Sequence, residues 1–164
     1  MKLSEIPTPA LLIDVPAMQR NIECMAEFFA EGPCKLRPHF KAHKTPEIAR
    51  RQLAAGSCSG LTCATVDEAE VIAAEGLTHD VLIANQVVGP GKAARVATLA
   101  ASADFDIKVA VDSEAGLADL AQAAQDAGGM GGKIRMSHRF PRGAGRTARR
   151  PPVPAYHTPQ TMKR

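Results

Sequence analysis

The run Lys35-Leu36-Arg37-Pro38-His39-Phe40-Lys41-Ala42-His43-Lys44 holds the residues of this 164-residue chain best suited to chemistry. On a strand, alternate side chains share a face, so Arg37, His39 and Lys41 point one way and Leu36, Pro38 and Phe40 the other. In a barrel the apolar set meets the surrounding helices. The cationic set then lines the interior near the C-terminal end of the strand, where barrel active sites are built. Burial and like charge both favour the neutral form of a lysine, whose ordinary pKa is about 10.4. A neutral amine is a nucleophile and forms a Schiff base with a carbonyl. Residue types and spacing alone leave two other readings open, a solvated basic strand edge and a phosphate-binding patch.

Other reactive residues do not gather in this way. Cys24, Cys34, Cys58 and Cys63 contain no Cys-x-x-Cys pair and no histidine at zinc-ligand spacing, so they are expected as small buried hydrophobes in a reducing compartment. Glu68 and Glu70 stand two apart on a helix and face different directions, which argues against an acid/base dyad. His138 and His157 have no partner at ligand spacing, and no metal ligand is assigned.

The elements that must position the basic run follow from periodicity. Thr8 to Asp14 is a short apolar run suited to a strand, and Pro16 opens a helix in which Met18, Ile22, Met25 and Phe29 repeat before Gly32. Cys34 to Lys41 is strand-like. Thr45 and Pro46 then start a helix through Ile48, Ala49 and Leu53 to Gly56. Gly60 to Ala64 leads into the capping box Thr65-Val66-Asp67-Glu68 and a helix ending near Glu75-Gly76. Val81 to Asn85 is the next strand, Pro90 opens a helix through Leu99, and Ile107 to Val111 is a further strand. Ser113 caps a helix that closes at Gly128-Gly129. Strand centres near 37, 62, 83 and 109 have the spacing of successive βα units on a parallel sheet. No Gly-x-Gly-x-x-Gly follows the first strand, which disfavours a dinucleotide-binding sheet. The expected fold class is therefore α/β, a partial (β/α)8 TIM-type barrel of about four βα units; a complete barrel takes about 250 residues.

Composition agrees with one globular domain: 45% of residues are hydrophobic, 23% charged and 4% aromatic. It excludes collagen-like, disulfide-rich and wholly disordered chains. No apolar run approaches the roughly 18 residues of a membrane span, and Met1-Lys2-Leu3-Ser4-Glu5 lacks a signal-peptide apolar region, so a cytoplasmic location without membrane contact is expected. The net charge of +3 is unevenly divided. Residues 1–128 hold all 17 acids and 11 of the 20 Lys and Arg, whereas residues 129–164 hold nine basic residues and no acid. That Pro- and Gly-rich stretch reads as a disordered basic tail, which divides the chain into a barrel portion, 1–128, and a tail, 129–164.

Thr8-Pro9-Ala10-Leu11-Leu12-Ile13-Asp14, Arg37-Pro38-His39-Phe40-Lys41-Ala42-His43-Lys44-Thr45-Pro46-Glu47-Ile48-Ala49, Asp67-Glu68-Ala69-Glu70-Val71, Ile83-Ala84-Asn85-Gln86-Val87-Val88-Gly89-Pro90 and Val109-Ala110-Val111-Asp112-Ser113 occur in order. Together they resemble the D-threonine aldolase and D-serine dehydratase family, fold-type III pyridoxal phosphate enzymes with an alanine racemase-like N-terminal barrel. The resemblance runs from about residue 7 to 128. It implies that Lys41 is the catalytic Schiff-base lysine, that Arg37, His39 and His43 join it around pyridoxal 5'-phosphate, and that a divalent metal of full-length relatives is held in a C-terminal β-domain whose ligands are not in this sequence. The family continues with a fifth strand and a Gly-x-x-Arg-type turn. Here Lys133 to Phe140 does not read as that strand, and Gly143-Ala144-Gly145-Arg146-Thr147 only faintly echoes the turn. An early end or a shifted reading frame after about residue 128 is the expected cause.

The function implied by the resemblance is a lyase acting on small D-configured β-hydroxy amino acids such as D-threonine or D-serine. A non-catalytic pyridoxal phosphate carrier, or an inactive fragment, is the alternative. A nucleic-acid partner is disfavoured because Tyr156 and Phe140 are the only aromatics of the basic tail. Unpaired strand edges of a partial barrel lead to an expectation of self-association into a homo-oligomer.

Overall fold

A computed structural model of the chain describes residues 3–102, 105–128 and 134–138. Short polar side chains start most of its helices. Asp14 accepts the N–H of Ala17 at the head of α1, Val15–Phe28. Thr65 accepts the N–H of Glu68 at the head of α3, Val66–Ala74, and Ser113 that of Gly116 at the head of α5, Glu114–Asp126. Each bond satisfies one of the donors that a helix start leaves without an internal partner. Proline opens α2, Pro46–Ala54, and α4, Pro90–Ala100, where its missing N–H costs nothing.

Four strands alternate with these helices: β1, Leu61–Cys63; β2, Asp80–Gln86; β3, Asp106–Val111; and β4, Ile134–His138. They pair in parallel in the order β1-β2-β3-β4. Leu61, Cys63, Val81, Ile83, Ile107 and Val109 are at most 1% exposed and pack under α2 to α5 against Ala49, Ile72, Val96 and Leu120. Burying an aliphatic side chain of this kind contributes about 1.5–3 kcal/mol. The intervening residues Asp80, Leu82, Asp106, Lys108 and Ala110 are only half-buried and occupy the other face of the sheet.

The strand expected at Cys34 to Lys41 survives as isolated bridges, Leu36 to Cys58 and His39 to Thr62, which extend the sheet beyond β1. The chain then tightens into a 3-10 turn, Phe40–Ala42, because the N–H of Ala42 reaches the carbonyl of His39. The strand expected at Thr8 to Asp14 does not form among the described residues. Leu11 is 96% exposed there, and Leu12 and Ile13 more than half, so an apolar run has found no neighbouring strand to complete its ladder. The opposite correction applies to residues 134–138. They do form a strand, with Ile107 opposite Ile134 and Val111 opposite His138, because β3 offers an open parallel edge. Apart from 134–138, the disorder expected for 129–164 falls on residues outside the described ones.

Candidate active site

Phe40 is 2% exposed in the core beneath the 3-10 turn and edge-on to His43, their ring centroids 5.5 Å apart. With Phe40 held down, Lys41 is turned outward and is exposed at the C-terminal end of its segment. It therefore leaves the turn and not the strand, and the burial expected around its amine is not supplied by the described residues.

His39 sits directly before this turn. Its Nδ1 accepts the backbone N–H of Lys41 at 3.3 Å, which requires that nitrogen to be unprotonated. Burial, with the charge of Lys41, lowers the His39 pKa below its ordinary value, while the Glu68 carboxylate and the Thr62 backbone oppose the shift. A neutral ring is the form that can hold the turn.

His43 faces a different way. Its Nδ1 accepts the N–H of Thr45 at 3.1 Å, which leaves Nε2 to donate to Gln52 Oε1 at 3.2 Å on α2. Both ring nitrogens are thus engaged in joining the turn to the helix. Thr45 does not cap α2 with its side chain, as expected, but donates its hydroxyl to the His43 carbonyl.

Arg37 is at the opposite end of the sheet. Its guanidinium makes a fork to Asp80 at the start of β2, Nη1 to Oδ1 at 2.6 Å and Nη2 to Oδ2 at 2.8 Å. The expected grouping of Arg37, His39, Lys41 and His43 around one ligand thus resolves into three places. His39 and Lys41 are together, His43 braces α2, and Arg37 is bound at the N-terminal ends of the strands.

Glu68, expected only as the return arm of a capping box, is also a neighbour of the site. It is 7% exposed, its Oε2 accepts the N–H of Ala64 at 2.8 Å, and its Oε1 lies 3.7 Å from Lys44 Nζ. The capping box is therefore displaced by one residue on its return arm, from Thr65 to Ala64. Glu70 faces outward to Arg95, so the two glutamates are separate as expected. At the neighbouring rim the β2–β3 register shifts between Ile83 and Gln86. The bulge turns Asn85 back to donate to the Ala64 carbonyl at 2.9 Å, while Gln86 donates to Asp112 at 2.7 Å. Ala64, directly after β1, and Ala110 of β3, opposite Gln86, are small residues beside these contacts.

The cysteines do not share one environment. Cys63 is buried and Cys58 half-buried, but Cys24 and Cys34 are exposed, against the expectation that all four are core residues. Among the described residues no three His, Cys, Asp or Glu stand close enough to hold a metal ion. Among those same residues no helix is long and apolar enough to cross a membrane.

The family model for the alanine racemase N-terminal domain matches residues 13–137. The chain belongs to that family. It is 41% identical over 126 residues to a D-threonine aldolase of Arthrobacter sp., which covers 77% of this chain and 32% of the relative. It is 38% identical over 128 residues to the 3-hydroxy-D-aspartate aldolase of Paracoccus denitrificans (strain Pd 1222), covering 78% and 33%. The crystal structure of D-threonine aldolase from Filomicrobium marinum superimposes with a TM-score of 0.74 at 40% identity, over 82% of this chain and 34% of that one. The chain thus spans about a third of the length of the relatives it matches. The alternating helices and parallel sheet are part of the barrel of the alanine racemase family. The family match extends through Ile134, Arg135, Met136 and Ser137, in agreement with β4.

Proposed function

We propose that this chain carries the lysine-bearing part of a pyridoxal phosphate-dependent lyase acting on D-configured β-hydroxy amino acids. The observation that carries the reading is Lys41, presented from a turn clamped between Phe40 and His39 at the C-terminal rim of a parallel sheet, in a chain with the family likeness described above. The donor set suits that cofactor at its aldehyde end: an exposed primary amine, a neutral imidazole fixing its backbone, and the small Ala64 just past β1.

When bound through a lysine amine, pyridoxal phosphate supplies an electron sink for charge developing at the α-carbon of an amino acid. The protein's part is positioning. Phe40 anchors the turn in the core, His39 Nδ1 holds the Lys41 N–H, and Glu68 fixes the β1–α3 connection beside Lys44 through the Ala64 N–H. Lys35 is spent on the Ala30 carbonyl at 3.4 Å, and Lys44 leans toward Glu68, so Lys41 is the amine expected to react.

Borohydride reduction in the presence of pyridoxal phosphate, followed by peptide mapping, tests this. The label is expected on Lys41 and is lost in Lys41→Ala. Label on Lys44 with none on Lys41 overturns the assignment. Unreduced protein incubated with pyridoxal phosphate and given D-threonine, D-serine or 3-hydroxy-D-aspartate separates a lyase from a carrier: the carrier labels at Lys41 in the reduced sample without turnover in the unreduced one.

A further inference from the structure

The segment that presents Lys41 is weakly attached by its backbone. Three backbone–backbone hydrogen bonds hold it to the next stretch of chain, Leu36 N–H to the Ser57 carbonyl at 2.8 Å, Ser59 N–H to the Leu36 carbonyl at 3.0 Å and Thr62 N–H to the Pro38 carbonyl at 2.8 Å, and the Thr62 hydroxyl adds a longer one to the Arg37 carbonyl at 3.4 Å. A slip of one residue in such a pairing exchanges the two faces of a strand. It would move His39 to the helix side and carry the Lys41 turn with it.

A side chain that reaches beyond the adjoining strand opposes that slip. Arg37 reaches past β1 altogether and binds Asp80 on β2 with both terminal guanidinium nitrogens; Nη1 also donates to the Asp80 carbonyl at 3.3 Å. It crosses at Gly60, whose φ of +148° is open to glycine. A Cβ at position 60 would lie 2.6 Å from Arg37 Nη1, 2.9 Å from Asp80 Cβ, and in collision with the Asp80 carbonyl oxygen. Asp80 is in turn held by Lys108 at 2.6 Å, Lys108 by Asp106 at 2.8 Å, and Asp106 by Arg135 on β4 at 3.1 Å. Alternating charges thus tie the Lys41 segment to three strands at once. The side chains of Arg37, Asp80 and Lys108 are 20–30% exposed, which limits screening by water.

We propose that Arg37, passing through the opening at Gly60 to Asp80, is the positioning residue that sets where Lys41 stands above the sheet. This rests on Lys41 being the cofactor lysine. It assigns Arg37 to the register of the segment in place of the cofactor contact expected from the sequence. A lysine at position 37 carries the charge but lacks the planar fork, so it holds register less well.

The test compares Arg37→Ala, Arg37→Lys and Gly60→Ala with Arg95→Ala, which breaks an ion pair of α4 with Asp67 and Glu70 away from this segment. Two readouts are taken on variants whose circular dichroism retains the native helix and sheet signal. One is the acetylation rate of Lys41 relative to Lys44 by peptide mass spectrometry; the other is the dissociation constant for pyridoxal phosphate by visible absorbance. Arg37→Ala and Gly60→Ala are expected to change the acetylation ratio at least about threefold and to weaken binding about tenfold or more, equivalent to about 1.4 kcal/mol. Arg37→Lys should fall between them and the parent, and Arg95→Ala should match the parent. If Arg37→Ala keeps both values of the parent while only the melting temperature falls, the proposal is overturned. If parent protein takes up no pyridoxal phosphate at Lys41, the functional reading fails, yet the acetylation ratio still decides whether Arg37 positions that residue.

Discussion

Replacing Glu68 separates the two jobs its carboxylate performs. Its Oε2 satisfies the Ala64 N–H, and its charge lies 3.7 Å from Lys44 and near His39. Glu68→Ala leaves the part-buried Ala64 donor without the acceptor that Glu68, itself 7% exposed, provides, a loss of about 1–3 kcal/mol. Glu68→Gln keeps an acceptor oxygen at the same reach and gives up only the charge. Lys44 is 68% exposed, so that pair contributes little, about 0.5 kcal/mol. At roughly 2–4 °C per kcal/mol for a chain of this size, the alanine variant should lose about 4–8 °C in calorimetric Tm at the middle of its range, and the glutamine variant about 2 °C or less. The negative charge favours protonated His39, so both variants should lower the His39 pKa further, read by NMR titration of its ring protons. Equal Tm losses in the two variants would refute the argument, since the charge and not the acceptor would then be what matters. A rise in the His39 pKa would refute the electrostatic half.

The remaining expectations concern acid and thiol chemistry. Burial pushes the Asp80 pKa up, but hydrogen bonds from Arg37 and Lys108 prevail and hold it below its ordinary 3.8. The stability this provides is complete above that ordinary value and is lost as pH falls through the lower folded-state value, so Asp80→Asn should remove that part of the acid transition seen by circular dichroism. Burial, aided by the Glu68 charge, pushes the Cys63 thiol up to about 12. Iodoacetamide at pH 8 should therefore modify exposed Cys24 and Cys34 first and spare Cys63 in native protein; early label at Cys63 would mean that β1 opens readily.

The alternation of helices and strands was legible because its causes are local. Thr65, Ser113, Pro46 and Pro90 act on the backbone within one turn, and the apolar residues of β2 and β3 declare a buried face by themselves. Lys41 was legible through the run Arg37 to Lys44. The place of its neighbours was not. His43 and Gln52 are nine residues apart, but Arg37 and Asp80 are separated by 43 and Lys108 and Asp80 by 28, and nothing in the basic run names those carboxylates. Gly60 carried a faint signal, a glycine just before an apolar strand, but its purpose depends on a guanidinium from another segment.

Sequence by itself thus determined the α/β class and the run of elements from α1 to α5 with β1 to β3 between them, since periodicity and caps act over a few residues. Tertiary structure decided which strand-like runs became strands. Thr8 to Asp14 is apolar yet unpaired, while residues 134–138, basic and unpromising, complete a ladder with β3 and set Arg135 against Asp106. A strand is stabilised by hydrogen bonds to a neighbour that its own sequence does not contain. The same reason governs the site: Arg37 meets Asp80 only when folding brings β2 within reach, one strand beyond its own neighbour β1.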